Sequence, residues 1–348
     1  MAAPQSHETK AMPTAQQPDQ VSEAFGLLKA PKLVSQISQS ENKTLRLNAL
    51  RVLGEELRNP LDAGGVTRAG VTEVLTKLLK DDDTKTREAA SKALAALAVD
   101  PNGRFSLSST AAAPLILPSL SDPSPIVRSN LYDCCLSYTA VRTGIDEVVL
   151  GGFVPVLVKK ATSETDDVRH LPLQLLYNCI KSEVGLREAL DSNAVEACIE
   201  NLAHKDSLVK KDAAGTLGFL CFADSAKITA IQNDAVSKLS SLLVDPFWKV
   251  RANAAQALMS IIQTDSGKKA IVSCEGVAPL IKLLKDPEGL VKINVLKTVA
   301  ALAVHPDARK EMRESAECLP VIHGIIDGGD EFLSKHALIA REAVLWQP

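Results

Sequence analysis

The segments DDDTKTR (81–87), DPSPIVR (122–128) and DPFWKVR (245–251) share one layout, in which an acidic turn leads to a basic residue six positions later. The basic residues of the first two segments are 41 positions apart, and the third lies three further periods along. Filling in this register gives a basic column of seven residues: Arg46, Arg87, Arg128, Arg169, Lys210, Arg251 and Lys292. Such an unbroken spacing indicates an internal repeat over most of the chain.

Apolar columns follow the same register and predict the helices of each repeat. Twelve positions before the basic column the chain has Leu75, Leu239 and Leu280, and seven positions after it Leu94 and Leu258. Spacings of three, four and seven residues between apolar positions are typical of helices. Each repeat is therefore predicted to contain a short helix, a turn and two longer antiparallel helices. For one repeat we expect these at about 266–272, 277–284 and 290–304.

Turn residues also recur in this register. An Asp stands six positions before the basic column in five repeats, where it is predicted to turn and cap the chain between two helices. A Gly stands sixteen positions after it, at Gly103, Gly144, Gly185 and Gly267, where we expect a helix to end. The fourth repeat lacks the Asp-Pro turn and has Pro172 within its last helix, which predicts a kink.

A period of 41 residues with this helix pattern is typical of armadillo and HEAT arrays. The sequence thus predicts an all-α, armadillo/HEAT-like, right-handed superhelical solenoid of about eight 41-residue repeats over residues 22–348, in which phrases such as GVAPLIKLL (276–284) favour armadillo over HEAT. Leu333 replaces the basic residue in the last repeat, which is interpreted as a capping repeat whose outer face meets water. Residues 1–21, rich in Pro, Gln and Ala, are predicted to be a disordered tail.

Composition supports a helical protein and argues against several partners. Of the 348 residues 46% are hydrophobic but only 3% aromatic, so the core must consist mostly of Leu, Ala, Val and Ile, as in helix packing. The formal charge of −3 disfavours nucleic acid, and no apolar run is long enough for a membrane span. Seven cysteines without a CxxC motif predict buried free thiols in a reducing compartment.

Catalytic patterns are absent from the sequence. It contains no GxGxxG after a strand, no P-loop, no HExxH and no GxSxG. The acidic run 81–83 is interpreted as a helix start, the pair Cys134-Cys135 as core, and His170 as a surface or cap residue. We therefore predict a protein that is not an enzyme, with no cofactor, no metal and no small-molecule substrate.

Solenoids bind partners along a concave groove lined by the last helix of each repeat. Nuclear import receptors of the armadillo type carry a Trp and an Asn on that helix, which clamp an extended basic peptide. The matching Trp column contains no Trp, and the matching Asn column contains Asn178 alone, so this activity is disfavoured. Positional candidates for protein contacts are five residues on the groove-facing helices and one Trp in a turn: Arg51, Lys92, Asn178, Gln256, Lys297 and Trp248.

Four segments are similar to one particular family. These are AFGLLKAPKL (24–33), LLKDDD (78–83), DPSPIVRSNLY (122–132) and LLKDPEGLVK (283–292). With a length of eight repeats, they resemble the armadillo-repeat radial spoke proteins of cilia and flagella. The resemblance covers nearly the whole chain after the tail, is least clear in the fourth repeat, and offers no catalytic residues.

The resemblance implies a non-enzymatic scaffold subunit of the radial spoke. It would dock other radial spoke proteins and doublet-microtubule-associated proteins, and contribute to the regulation of dynein-driven motility. The expected location is the cytoplasm and the axoneme of the cilium or flagellum. Two alternatives stay open: a cytosolic armadillo adaptor unrelated to cilia, and a peptide-binding transport receptor.

Overall fold

The computed structural model describes residues 19–22, 24 and 26–347, so the predicted tail lies almost entirely outside the described residues. Within these ranges every regular element is a helix, which confirms the all-α fold. The chain forms two compact units, the first ending at Ala112 and the second beginning at Ala113. The helices of the first unit, after a 3-10 turn at Gly26–Leu28, are α1 (Lys29–Gln39), α2 (Lys43–Glu56), α3 (Pro60–Arg68), α4 (Val71–Leu78), α5 (Thr84–Val99) and α6 (Pro101–Ser109).

The second unit continues the three-helix pattern. Its helices are α7 (Ala112–Ile116, followed by a 3-10 turn Leu117–Ser121), α8 (Pro125–Tyr138), α9 (Arg142–Leu150), α10 (Phe153–Ser163), α11 (His170–Cys179), α12 (Glu183–Asp191), α13 (Ala194–Asn201), α14 (Ser207–Leu220), α15 (Asp224–Gln232), α16 (Ala235–Leu242), α17 (Trp248–Ile261), α18 (Asp265–Ser273), α19 (Val277–Leu283), α20 (Gly289–Leu302), α21 (Pro306–Glu314), α22 (Cys318–Asp327) and α23 (Glu331–Leu345). The helices α18, α19 and α20 agree within two residues with the three predicted for that repeat.

The basic column lies on the third helix of the repeats, except that Arg169 immediately precedes its helix, and within each unit these helices pack side by side. In the first unit α2 contacts α5, and in the second α8, α11, α14, α17, α20 and α23 contact one another in that order. Their buried sides consist mainly of Leu, Val, Ile and Ala, as the shortage of aromatic residues predicts. We call the exposed side of these helices the third-helix face.

The Asp column turns the chain, as predicted. The Oδ1 atom of Asp245 accepts a hydrogen bond from the backbone N–H of Phe247 at 2.9 Å, and Asp286 accepts one from Glu288 at 3.0 Å. Each Asp stands three residues before the third helix begins and stabilises the turn there, as Asp and Asn side chains commonly do. The predicted capping is not made by these two residues, and the N-cap residues Phe247 and Glu288 have no side-chain capping bond either.

The basic column has a structural role, because it links neighbouring repeats. Arg251 binds both oxygens of Asp286 in the next repeat, at 2.7 and 3.1 Å. Arg128 binds Glu164 in the same way, and the two side chains are almost completely buried. Although burial alone would raise the pKa of Glu164, the hydrogen bonds from Arg128 and the backbone lower it. Arg46, Arg169 and Lys210 also bind carboxylates of the next repeat, so most residues of the basic column form ion pairs between repeats.

The Gly column lies elsewhere than predicted. Gly103 and Gly267 are third in the short helices α6 and α18, so they stand where a helix begins and not where one ends. A Cβ atom on Gly267 would lie 2.3 Å from the carbonyl oxygen of Ile261, and one on Gly103 would lie 1.8 Å from that of Leu97. The glycines are therefore needed because the short helix passes close to the end of the preceding helix.

The fourth repeat does not contain the predicted kink. Its third helix, α11, begins only at His170, so Pro172 falls in the first turn of the helix. Proline is tolerated in a first turn, since the N–H group it lacks would have no helical partner there. The irregular sequence before Arg169 shortens the helix from its N-terminal side and leaves its remainder regular.

The last repeat differs from a polar cap. Val250 and Val291 precede the basic column by one position and are fully buried, whereas the equivalent Phe332 is 58% exposed. Six positions after the column Thr298 is buried and the equivalent Ile339 is exposed. The outer face of α23 meets water as predicted, but its side chains are apolar where capping repeats are polar.

Candidate functional site

The predicted contact residues of the first unit lie together. Arg51 and Lys92 line a cleft between α2 and α5, with Glu55 and Arg58 beside them. Arg51 forms an ion pair with Glu55 at 3.0 Å, one helical turn away, and both side chains are well exposed. Exposed pairs of this kind contribute little to stability, so both charges remain accessible to a partner.

The predicted residues of the second unit lie on three third helices, α11, α17 and α20. Gln256 and Lys297 are half-buried on α17 and α20. Trp248 is half-buried at the first position of α17, and the Nζ atom of Lys249 lies 5.5 Å from its ring. The amide of Asn178 donates to the Oγ1 atom of Thr139 at 3.0 Å and accepts from Lys181 at 2.9 Å. Asn178 is therefore engaged in hydrogen bonds within the protein.

An aromatic cluster on the third-helix face was missed by the sequence prediction. The rings of Tyr177 on α11 and Phe219 on α14 contact edge to face, 5.7 Å apart, and Phe222 contacts Phe219 at 5.2 Å. The Nζ atom of Lys181 lies 4.6 Å from the centre of the Tyr177 ring. We call these four residues the aromatic cluster. It spans the seam between the fourth and fifth repeats.

The aromatic cluster is accessible to partners. Phe222 is 59% exposed, and Tyr177 and Phe219 are half-buried. Exposed rings beside a cation are frequent at the centre of protein interfaces, because they bury a large area at little entropic cost. The sequence contains a signal for this cluster. Phe219 occupies the column in which nuclear import receptors carry Asn, and an aromatic residue there is conspicuous in a chain with only seven Phe and three Tyr. Which rings would meet depended on the packing of α11 against α14.

Charged groups surround the same seam. Burial raises the pKa of Asp212 on α14, while Lys211 and His170 act against this rise. Burial likewise raises the pKa of Asp133 on α8, and His170 again opposes it. One carboxyl oxygen of Asp212 and the Nδ1 atom of His170 are buried without a hydrogen-bond partner. Both lie on the third helices that carry or border the aromatic cluster.

The described residues hold neither a metal-ligand cluster nor a membrane-spanning helix. Among them, no three His, Cys, Asp or Glu side chains come together as a metal site would require. None of the helices in the described ranges is long and apolar enough to cross a membrane. Cys134 and Cys135 are buried as predicted, and burial raises the pKa of Cys134 to about 12. Such thiols are unreactive at neutral pH.

Comparison with known proteins identifies repeat families. Residues 30–133 match the family model described as HEAT repeats, and residues 235–264 match that of the HEAT repeat. The structure is similar to the crystal structure of an engineered protein from a structural genomics consortium, with a TM-score of 0.83 and 25% identity over 92% of this chain and 79% of that one.

Two further solved structures are designed armadillo proteins. A designed armadillo repeat protein has a TM-score of 0.59 at 19% identity, covering 67% of this chain and 99% of its own. Computationally designed armadillo repeat proteins for modular peptide recognition have a TM-score of 0.60 at 20% identity, covering 66% and 99%. At such identity the likeness shows the fold alone. The chain is therefore a HEAT/armadillo-like repeat protein, an all-α solenoid of a kind that is typically non-enzymatic and suited to protein–protein interaction.

Proposed function

We propose that this protein is a scaffold subunit of the ciliary radial spoke, which docks other spoke proteins through the aromatic cluster on its third-helix face. The observation that carries the docking role is the contact between Tyr177 and Phe219 across two repeats, with Phe222 exposed beside them. The spoke itself is proposed from the four segments that resemble the armadillo-repeat radial spoke proteins.

The chemistry of the cluster favours an extended partner segment with an apolar or aromatic side chain. Three rings in edge-to-face contact offer such a side chain several apolar surfaces. Lys181 adds a positive charge that would favour a nearby carboxylate of the partner. Designed armadillo repeat proteins of the same fold were made for modular peptide recognition, which supports a peptide segment as the partner.

Location in the axoneme is tested by detergent extraction of cilia followed by immunoblotting. A spoke subunit stays with the axoneme after extraction and is missing from mutants that lack spokes. A protein found wholly in the detergent-soluble fraction would contradict the spoke role and favour the cytosolic adaptor.

The role of the aromatic cluster is tested in the same assay with full-length variants. Phe222→Ser and Tyr177→Ala remove exposed or half-buried rings, and we expect each to reduce retention on the axoneme. The matched control is Phe105→Ser on α6, which removes a ring that is 75% exposed but far from α11 and α14 in the sequence. Equal retention of the cluster variants and the control would place the docking surface elsewhere.

A further inference from the structure

The exposed side of α23 carries an apolar stripe. In the second to seventh repeats the positions of Phe332 and Ile339 are buried, but on α23 they are exposed. After Glu331 at the start of the helix, the exposed residues follow a spacing of three and four as far as the C-cap Trp346, and most are apolar: Phe332, Lys335, Leu338, Ile339, Glu342, Leu345 and Trp346. Ala337, Ala340 and Val344 occupy the buried side. We call the seven exposed residues the end stripe.

The end stripe is self-complementary under a twofold axis. If two copies of α23 are antiparallel and centred between residues 338 and 339, then Phe332 faces Leu345 of the second copy, and Leu338 faces Ile339. The same arrangement places Lys335 opposite Glu342, twice because of the symmetry. Twofold interfaces use the same patch on both subunits, so a patch that pairs both its apolar and its charged residues with itself fits such an interface.

We infer that the end stripe is occupied by a second copy of this chain, with the two α23 helices packed antiparallel. The positions of Phe332 and Ile339 give continuity with the seams between repeats, where a neighbouring third helix covers them. The charge pattern selects the antiparallel arrangement, since parallel helices in register would place Lys335 against Lys335 and Glu342 against Glu342.

The C-terminal part of the stripe is held in place before any partner binds. Arg313 donates to the backbone oxygens of Val344, at 2.7 Å, and of Trp346. The guanidinium of Arg309 lies 4.9 Å from the centre of the Trp346 ring. A fixed surface loses less conformational entropy on association.

An apolar cleft borders the end stripe. Ala303 and Val304 of the preceding repeat line it together with Ile339 and Trp346. Val304 is 65% exposed at its rim. The cleft therefore gives an apolar side chain of the second copy a place to insert beside the helix pair.

Sedimentation equilibrium of the full-length protein tests this inference. The wild type is expected to reach twice the mass of one chain, and Ile339→Asp to remain a monomer. Lys335→Glu places like charges opposite each other at both symmetric contacts and should weaken the dimer at least about tenfold. Glu342→Lys should do the same, and the double variant with both changes should restore the wild-type affinity.

A matched control is Lys310→Glu on α21. It makes the same change in charge at an exposed residue outside the stripe, whose nearest carboxylate is Glu314 at 3.9 Å. This variant should dimerise like the wild type. A wild type that stays monomeric at its highest soluble concentration would overturn the inference. So would a dimer that is unaffected by either charge change, or a double variant that fails to regain affinity.

Discussion

The seam between α17 and α20 and the seam between α11 and α14 share one fold but differ in chemistry. In the first, Arg251 binds the buried Asp286, and the Asn294 amide donates to the carbonyl oxygen of Ala252 at 2.9 Å. In the second, Arg169 binds the neutral Asn201 at 2.8 Å and the exposed Glu200 at 2.9 Å.

The position of Asn294 shows the difference most clearly. Asn253 at the equivalent position in the sixth repeat also donates to the repeat before it, to the carbonyl oxygen of Lys211 at 2.8 Å. In the fifth repeat this position is Asp212. Its Oδ1 atom pairs with Lys211 at 3.0 Å, and its buried Oδ2 atom has no hydrogen-bond partner. An ionised carboxylate cannot donate, so this seam lacks the bond that the two following seams have.

Both seams keep one bond unchanged. Thr298 donates to the carbonyl oxygen of Ala255 at 3.1 Å, and Thr216 donates to that of Leu173 at the same distance. The seam between α11 and α14 is therefore packed in the same register, but its buried polar groups make fewer hydrogen bonds between repeats. We call it the irregular seam. It is also the seam that carries the aromatic cluster. Departures from a local rule concentrate at functional sites, and this coincidence supports the site proposed there.

The largest difference between the seams should come from their ion pairs. The side chains of Arg251 and Asp286 are 14% and 3% exposed. Asp286→Ala leaves the largely buried charge of Arg251 without its carboxylate, and this should lower the free energy of unfolding by about 3 kcal/mol. Glu200→Ala removes a partner that is 60% exposed and should cost less than about 0.5 kcal/mol. Urea unfolding of the two variants measures both. Equal losses would contradict the difference in burial.

An exchange of the equivalent polar residues should change stability in opposite directions. Asn294→Asp replaces a donor to Ala252 with a carboxylate and should cost about 2 kcal/mol. Asp212→Asn supplies the donor that the irregular seam lacks and should stabilise the protein by about 1 kcal/mol. Denaturant unfolding tests the exchange through the shift of the transition midpoint, provided that the slope of the free energy against denaturant concentration is unchanged. A loss of stability in Asp212→Asn would contradict the prediction and show that the folded protein favours the carboxylate at this position.

The smallest effect concerns pH. Because the pKa of Asp212 is raised by burial, the folded state holds its proton over a range where the unfolded state has released it. The loss of folding stability caused by the Asp212 carboxylate is therefore absent below the unfolded-state pKa of about 4, and it grows as the pH rises through the folded-state pKa. The increase in the free energy of unfolding caused by Asp212→Asn should be greater at pH 7 than at pH 4. The control is Thr216→Val at the same seam, which changes no titrating group. Its free energy of unfolding should differ from that of the wild type by the same amount at both pH values.

The repeat could be predicted from the sequence because each column serves the same contact in every repeat. Leu280 and Leu258 are buried, and Asp245 and Asp286 form turns, wherever the local pattern is complete. Gly267 was also identified, but its reason was not, because a close approach to the oxygen of Ile261 is a contact between two helices. Pro172 was misjudged because the start of α11 depends on the irregular turn before it.

The candidate site was the part that local patterns could not predict. The positional candidates Arg51, Asn178 and Gln256 follow from helical spacing alone, and each lies on a predicted helix. Tyr177 and Phe219 meet because α11 packs beside α14, which brings together rings 42 positions apart. Phe219 and Phe222 lie close in sequence, but nothing in their spacing shows that Phe222 stays exposed.

The sequence by itself determined the helices, the repeat period and the residues that link one repeat to the next, because those contacts recur at a fixed spacing. Only the tertiary structure decided which side chains remain outside the stack. The aromatic cluster and the end stripe are defined by the absence of a covering neighbour, at one seam and on the last helix. Exposure of that kind depends on what packs against a residue, and no periodic pattern in one chain encodes it.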